Sequence, residues 1–185
     1  MNCRFSSIIV LALAGIAAPG TARGQEGRVP AEQQEAMKKL QFLVGRWQGE
    51  SWMEFAPGQR RTSRGTETVQ SHLGGLLLTI EGIHRRPSEN GREGAVVHNA
   101  FAVVTYDDKA KRYRFQAYTG AGQHTDAEAK VGDGRLEWGL RIPGFGDVRY
   151  TITLNDKGQW SEIGEVSKDG KEWRQFFAMT LDRVK

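Results

Sequence analysis

From Gly45 onward the period of the sequence changes to two: most runs alternate apolar and polar residues, Thr62–Leu73 is polar and threonine-rich, Leu76-Leu77-Leu78 is apolar on both faces, and turn-forming residues separate the runs at short intervals. Leu136, Trp138, Leu140 and Ile142 fall on one side of one run, and Val148, Tyr150, Ile152 and Leu154 on one side of the next. Tyr113, Phe115 and Ala117 oppose Arg114, Gln116 and Tyr118 in the same way. Successive residues of a strand point to opposite faces, so this pattern specifies strands with one face in a core and one in water. Pro57-Gly58, Gly74-Gly75, Asp107 to Lys111, Gly120-Ala121-Gly122, Gly132-Asp133-Gly134, Pro143 to Gly146, Asn155 to Gly158 and Lys168-Asp169-Gly170 separate them. These connections are too short for crossover helices, which excludes a parallel sheet.

The runs predict ten strands: Arg46–Phe55, Thr62–Leu73, Leu76–His84, Val96–Tyr106, Arg112–Thr119, His124–Lys130, Leu136–Ile142, Val148–Leu154, Trp160–Ser167 and Trp173–Val184. Left open, such a meander exposes two long unpaired edges, and closure removes both. The expected fold is therefore all-β, a single antiparallel up-and-down β-barrel of about ten strands. A two-sheet sandwich is the alternative. Barrels with more than eight strands have room inside for a small ligand.

Residues 32–185 carry this domain. Glu32 to Leu43 reads as an amphipathic helix, with Ala36, Leu40 and Leu43 on one face, acids early and Lys38-Lys39 late. It is expected to cover one end of the barrel. Residues 25–31 read as a flexible N-terminus. Residues 1–24 read as a signal peptide: Arg4, then the apolar run Ile8 to Ala18, then small residues up to a cleavage point after Gly24. That run is too short for a stable anchor, so the mature chain is expected to be periplasmic or secreted, with no stable membrane insertion. The sole cysteine, Cys3, lies in the leader, which leaves the mature chain with no disulfide and no thiolate chemistry. The formal charge is +4, with no long basic tract, so nucleic acid is not an expected partner.

The motifs Leu43-Val44-Gly45-Arg46-Trp47-Gln48-Gly49-Glu50, Glu67-Thr68-Val69, Gly75-Leu76-Leu77-Leu78 with Glu81-Gly82, Thr105-Tyr106-Asp107, Arg149-Tyr150-Thr151-Ile152, Trp160 to Glu165, Asp169-Gly170 and Trp173 span roughly residues 40–183. Through them the chain resembles the lipocalin-like, or calycin, superfamily, and within it an uncharacterised family of exported bacterial proteins. The resemblance implies a barrel with Arg183, from the last strand, stacked over the buried Trp47 of the first. It implies no activity. A fainter resemblance, through Gly45-x-Trp47-x-Gly49-Glu50, is to the nitrobindin-like haem barrels. Those place an axial histidine on a late strand, whereas no histidine follows His124 here. Haem, or any other cofactor, is accordingly not expected.

The chemistry-bearing residues form no known catalytic motif. His72, His84, His98 and His124 lie on four different strands with no metal-ligand spacing, so no metal is expected. His98 alternates with Ala100, Ala102 and Val104, which points it toward a small-residue interior. Glu67, Glu81, Glu162 and Glu165 sit within strands. Two of them facing inward would need a partner such as Arg114 or Arg149. Ser63, Ser71 and Ser161 lack a nucleophile-elbow context. The residues expected to contact a ligand are Trp52, Glu67, Glu81, His98, Arg114, Tyr118, Trp138, Arg149 and Glu165. The expected function is binding of a small, largely apolar molecule inside the barrel. The alternatives are an isomerase or hydrolase using Glu81 or Glu165 with His98 at the mouth, and an interaction module without a ligand.

Overall fold

The computed structural model describes residues 30–88, 90 and 92–185. The leader and most of the expected flexible N-terminus lie outside the described residues. Ten antiparallel strands close into one barrel. They are β1 (Gly45–Met53), β2 (Arg61–His72), β3 (Leu77–Arg85), β4 (Val96–Asp107), β5 (Arg112–Thr119), β6 (His124–Gly132), β7 (Arg135–Ile142), β8 (Gly146–Leu154), β9 (Trp160–Ser167) and β10 (Arg174–Val184). Each strand pairs with its sequence neighbours, and β1 pairs with β10 to complete the ring. Among the described residues no helix is long and apolar enough to cross a membrane.

The helical segment is shorter than the periodicity predicts. Helix α1 covers Ala31–Lys38, and a separate 3-10 turn covers Gln41–Leu43. The break lets Met37, Leu40 and Leu43 all point into the barrel end, where each is fully buried. Side chains tie α1 down at two edges of that end: Gln34 Nε2 donates to the Gly74 carbonyl at 2.8 Å, and the Tyr113 hydroxyl donates to the Ala36 carbonyl at 2.8 Å. The Gly74-Gly75 connection is not a two-residue hairpin. Leu73–Gly75 forms a 3-10 turn in which Leu73, Gly74 and Gly75 all have positive φ.

Trp47 roots the plugged end. Its indole Nε1 donates to the Leu43 carbonyl at 2.8 Å, and its ring meets Trp160 edge-on at 5.8 Å. Arg183 lies over the outer ring face, its Cζ 4.0 Å from the centroid, and Nη2 donates to the Phe42 carbonyl at 2.8 Å while Nη1 donates to Val44. Gly45 opens β1 at φ +137°, and a Cβ there would fall 2.5 Å from Arg183 Nη1, so only glycine fits. The core continues through Val69, Leu78, Val104, Leu136, Ile152 and Leu181. The opposite end, where β1, β3, β5, β7 and β9 finish, carries no helix among the described residues and forms the mouth.

Candidate functional site

The mouth half of the lumen differs from the plugged half in its side chains. The register places Gly49, Gly65, Gly82, Ala100, Ala117 and Ala127 on the inner face there. Ala117, Thr125 and Ala127 keep partial solvent exposure although they share the inner face with the buried Phe115. This stretch of the inner face is therefore only partly covered.

The wall is also incomplete. β6 and β7 pair only through Lys130–Glu137, Val131–Leu136 and Gly132–Arg135, next to their shared turn. Beyond that no ladder pairing joins residues 124–129 to residues 138–142, so the seam between them is unpaired toward the mouth. Leu140 and Ile142 line it and are only partly buried. Trp138 stands at its base, stacked between Phe115 (4.3 Å, 11°) and Tyr150 (4.6 Å, 20°). The Trp138 indole nitrogen is buried and has no protein partner among the described residues.

The opposite side of the mouth is sealed by aromatics. A bulge between Gln175 and Phe177 turns Phe176 inward, giving a ring cluster with Phe55 at 5.9 Å and Phe145 at 5.3 Å. A cleft on that rim is lined by Phe55, Phe145, Val166, Trp173 and Arg174.

Between the two sides runs a polar chain. Ser63 Oγ lies 2.8 Å from Ser51 Oγ, Ser51 Oγ 3.2 Å from His84 Nδ1, and His84 Nε2 3.1 Å from Glu67 Oε1. Ser51, Glu67 and His84 are buried. Two glycines make the chain fit. Gly65 pairs with His84 and Gly82 with Glu67 across β2 and β3, and each lacks the Cβ that would collide with its partner's side chain. His98, opposite His84 in the β3–β4 ladder, packs against its ring edge-on at 5.7 Å and stays exposed at the rim. Crowding by the surrounding protein, and then the neighbouring His84, lowers the His98 pKa from its ordinary value.

Deeper in, Glu162 is buried among Ile152, Met179 and Trp160, and the Trp160 indole donates to its Oε2 at 3.2 Å. Burial first, and the charge of Glu67 second, push the Glu162 carboxyl up to about 8, so it holds its proton at neutral pH. Burial, with Glu162 nearby, also raises the Tyr150 hydroxyl well above its usual range.

The expected ligand contacts divide by face. Glu67, His98 and Trp138 share the inner face. Trp52, Glu81, Arg114, Tyr118, Arg149 and Glu165 lie on the outer face, because each is one residue out of phase with its strand's buried positions. Arg60 sits over Trp52, Arg114 pairs with Asp126 at 2.5 Å, and Arg149 pairs with Glu165 at 2.7 Å beneath Trp173. Glu81 and Tyr118 are exposed. Neither Glu81 nor Glu165 shares the inner face with His98, so neither joins it at the mouth. The inward carboxyls are Glu67 and Glu162, and their partners are His84 and Trp160 instead of arginines. Ser51 gives no signal in the sequence, and Ser63 lacks a nucleophile-elbow context there, because residues on three strands meet only once the register is known. Among the described residues no cluster of three or more His, Cys, Asp or Glu has metal-binding geometry.

No family model matches the chain, and no curated protein matches it. Its fold is similar to that of the crystal structure of Rv2717c from M. tuberculosis, at 13% sequence identity and a TM-score of 0.58, covering 81% of this chain and 98% of that one. At that identity the similarity is one of fold alone.

Proposed function

We propose that the protein is an exported barrel that takes up a small, largely apolar molecule through the mouth and holds it along the β6–β7 seam. The observation that carries this is the early end of the β6–β7 ladder beside a wall of alanines. A barrel that only had to be stable would gain from completing that ladder and filling the wall. Here Leu140, Ile142 and the rim of Trp138 are left for an apolar body to cover, and Ser63 and His98 stand where a single polar group of that body would lie.

The test is a thermal-shift and native mass spectrometry screen with fatty acids, isoprenoids, aromatics and a fluorescent naphthalene sulfonate. Micromolar binding that quenches tryptophan emission is the expected result. Ala127→Phe, which fills the lumen from the open wall, should remove that binding while leaving the melting temperature within a few degrees. Absence of any micromolar binder, or binding unchanged by Ala127→Phe, would overturn the proposal.

A further inference from the structure

We propose that Ser51, His84 and Glu67 form a nucleophile, base and orienting carboxylate, and that the barrel hydrolyses small esters whose acyl chain occupies the lumen. The inference rests on the carrier reading above, because the lumen is where the acyl chain would lie.

The hydrogen-bond chain has one self-consistent direction. Glu67 is acceptor-only when ionised, so His84 Nε2 carries the proton and donates to it across 3.1 Å. That leaves Nδ1 as an acceptor, and the Ser51 hydroxyl, 3.2 Å away, donates to it. The Ser51 oxygen then accepts from the Ser63 hydroxyl at 2.8 Å. A serine whose proton points at a neutral imidazole, with the imidazole held by a buried carboxylate, has the relationships of an activated nucleophile. The two ring nitrogens exchange their usual roles, because the carboxylate comes from the strand beside the histidine and meets it on the diagonal.

Three further features favour chemistry over simple cross-linking. The chain sits at the mouth: Ser51 is two residues from the end of β1, Ser63 two from the start of β2, and His84 one from the end of β3. Glu67 meets the imidazole at Nε2, on the side away from the Nδ1 that faces Ser51, so nucleophile and carboxylate lie at opposite edges of one ring. Ser63 offers an O–H beside the attacking atom, positioned to donate to an oxyanion.

The step balances with water alone. Ser51 Oγ attacks the ester carbonyl carbon as its proton passes to His84 Nδ1. The resulting oxyanion accepts from Ser63. The carbonyl–alkoxy bond breaks, and the alcohol leaves with the proton from Nδ1. Water, deprotonated by the same nitrogen, attacks the acyl-serine, releases the carboxylic acid and restores Ser51. Glu67 is a positioning residue that fixes the tautomer.

The full-length chain is incubated with a fluorophosphonate probe and followed by intact mass, and p-nitrophenyl butyrate hydrolysis is measured alongside. One adduct is expected, on Ser51. It should vanish in Ser51→Ala, persist in Ser63→Ala at a lower rate, and slow at least 100-fold in His84→Gln. Glu67→Gln should lower the rate and displace the pH profile, which a purely structural role would not do. If Ser51→Ala does not fold, Ser51→Cys in a Cys3→Ser background replaces it, and its thiol should alkylate at neutral pH faster than a free cysteine. No adduct on folded wild type, labelling that survives Ser51→Ala, or an ordinary thiol in Ser51→Cys would overturn the triad. Naphthalene sulfonate binding by a chain that never labels defeats the triad and leaves the carrier standing. Labelling without apolar binding does the reverse.

Discussion

Gly82 faces Glu67 so closely across the β2–β3 ladder that a methyl group on its Cα would sit 2.6 Å from the carboxylate. One strand-step away the relation is mirrored by Gly65, where a methyl would sit 2.5 Å from the His84 ring. Two missing side chains on one strand pair thus create the space in which two polar ones cross and meet at 3.1 Å.

Gly82→Ala is therefore expected to destabilise the barrel by about 2–3 kcal/mol, since it displaces a buried carboxylate from its partner. Gly65→Ala should behave alike. Gly132 has nothing within 4 Å of a built Cβ and no positive φ, so Gly132→Ala should change stability by less than about 0.5 kcal/mol. Urea denaturation of the three variants checks the contrast. Equal effects at Gly82 and Gly132 would show that the close approach has no energetic weight.

Arg183 and Trp47 make a second cross-strand pair, in register between β10 and β1. The guanidinium covers the indole and also donates to two carbonyls of the segment entering β1. Arg183→Ala should cost roughly 1–2 kcal/mol and lower the melting temperature by about 3–6 °C. Arg183→Lys keeps the charge but loses the paired donors, and should recover only part of that. Ligand affinity should stay unchanged, because the pair seals the plugged end. A loss of affinity larger than the loss of stability would contradict that placement.

The barrel was legible because strand alternation is local. Trp160–Ser167 and Arg112–Thr119 match their sequence boundaries residue for residue. The site was not legible, for a reason of phase. Glu81 and Glu67 look equivalent in sequence, each a carboxylate within a strand, yet one lies outside and the other inside. The period of two assigns faces only where apolar residues anchor the phase. In β2, polar on both faces, Glu67 had no such anchor beyond Val69. His98 did have one, in Ala102 and Val104, and its inward direction followed from them. The early end of the β6–β7 ladder left no trace, because β6 reads as an ordinary alternating strand.

Trp138 offers a test of an unpaid donor. Its buried indole N–H has no protein partner among the described residues, whereas its ring faces are fully used by Phe115 and Tyr150. Trp138→Phe keeps a stacked ring and removes the unsatisfied group. It should cost less than about 1 kcal/mol, well below the 3–5 kcal/mol typical of truncating a buried aromatic to alanine. Trp138→Ala supplies the comparison. A large loss in the phenylalanine variant would mean that the nitrogen does have a partner in solution.

The strongest pH dependence should come from Glu162. Its carboxyl has a folded-state pKa of about 8 against an ordinary 4.5, chiefly because it is buried. A group whose pKa rises on folding contributes stability that is complete below the unfolded value and is lost as pH climbs through the folded one. The barrel should therefore weaken steadily between about pH 4.5 and pH 8, by a few kcal/mol in all. His98 works in the other direction: its lowered pKa removes stability as pH falls below its ordinary 6.5. The interval from about pH 7.5 to 8.5, a unit or more above the ordinary His98 value, therefore isolates Glu162. Glu162→Gln keeps an oxygen to accept from Trp160 but cannot ionise, so its urea midpoint should stay flat across that interval while that of the wild type falls. Parallel slopes in the two proteins would place the titrating group elsewhere.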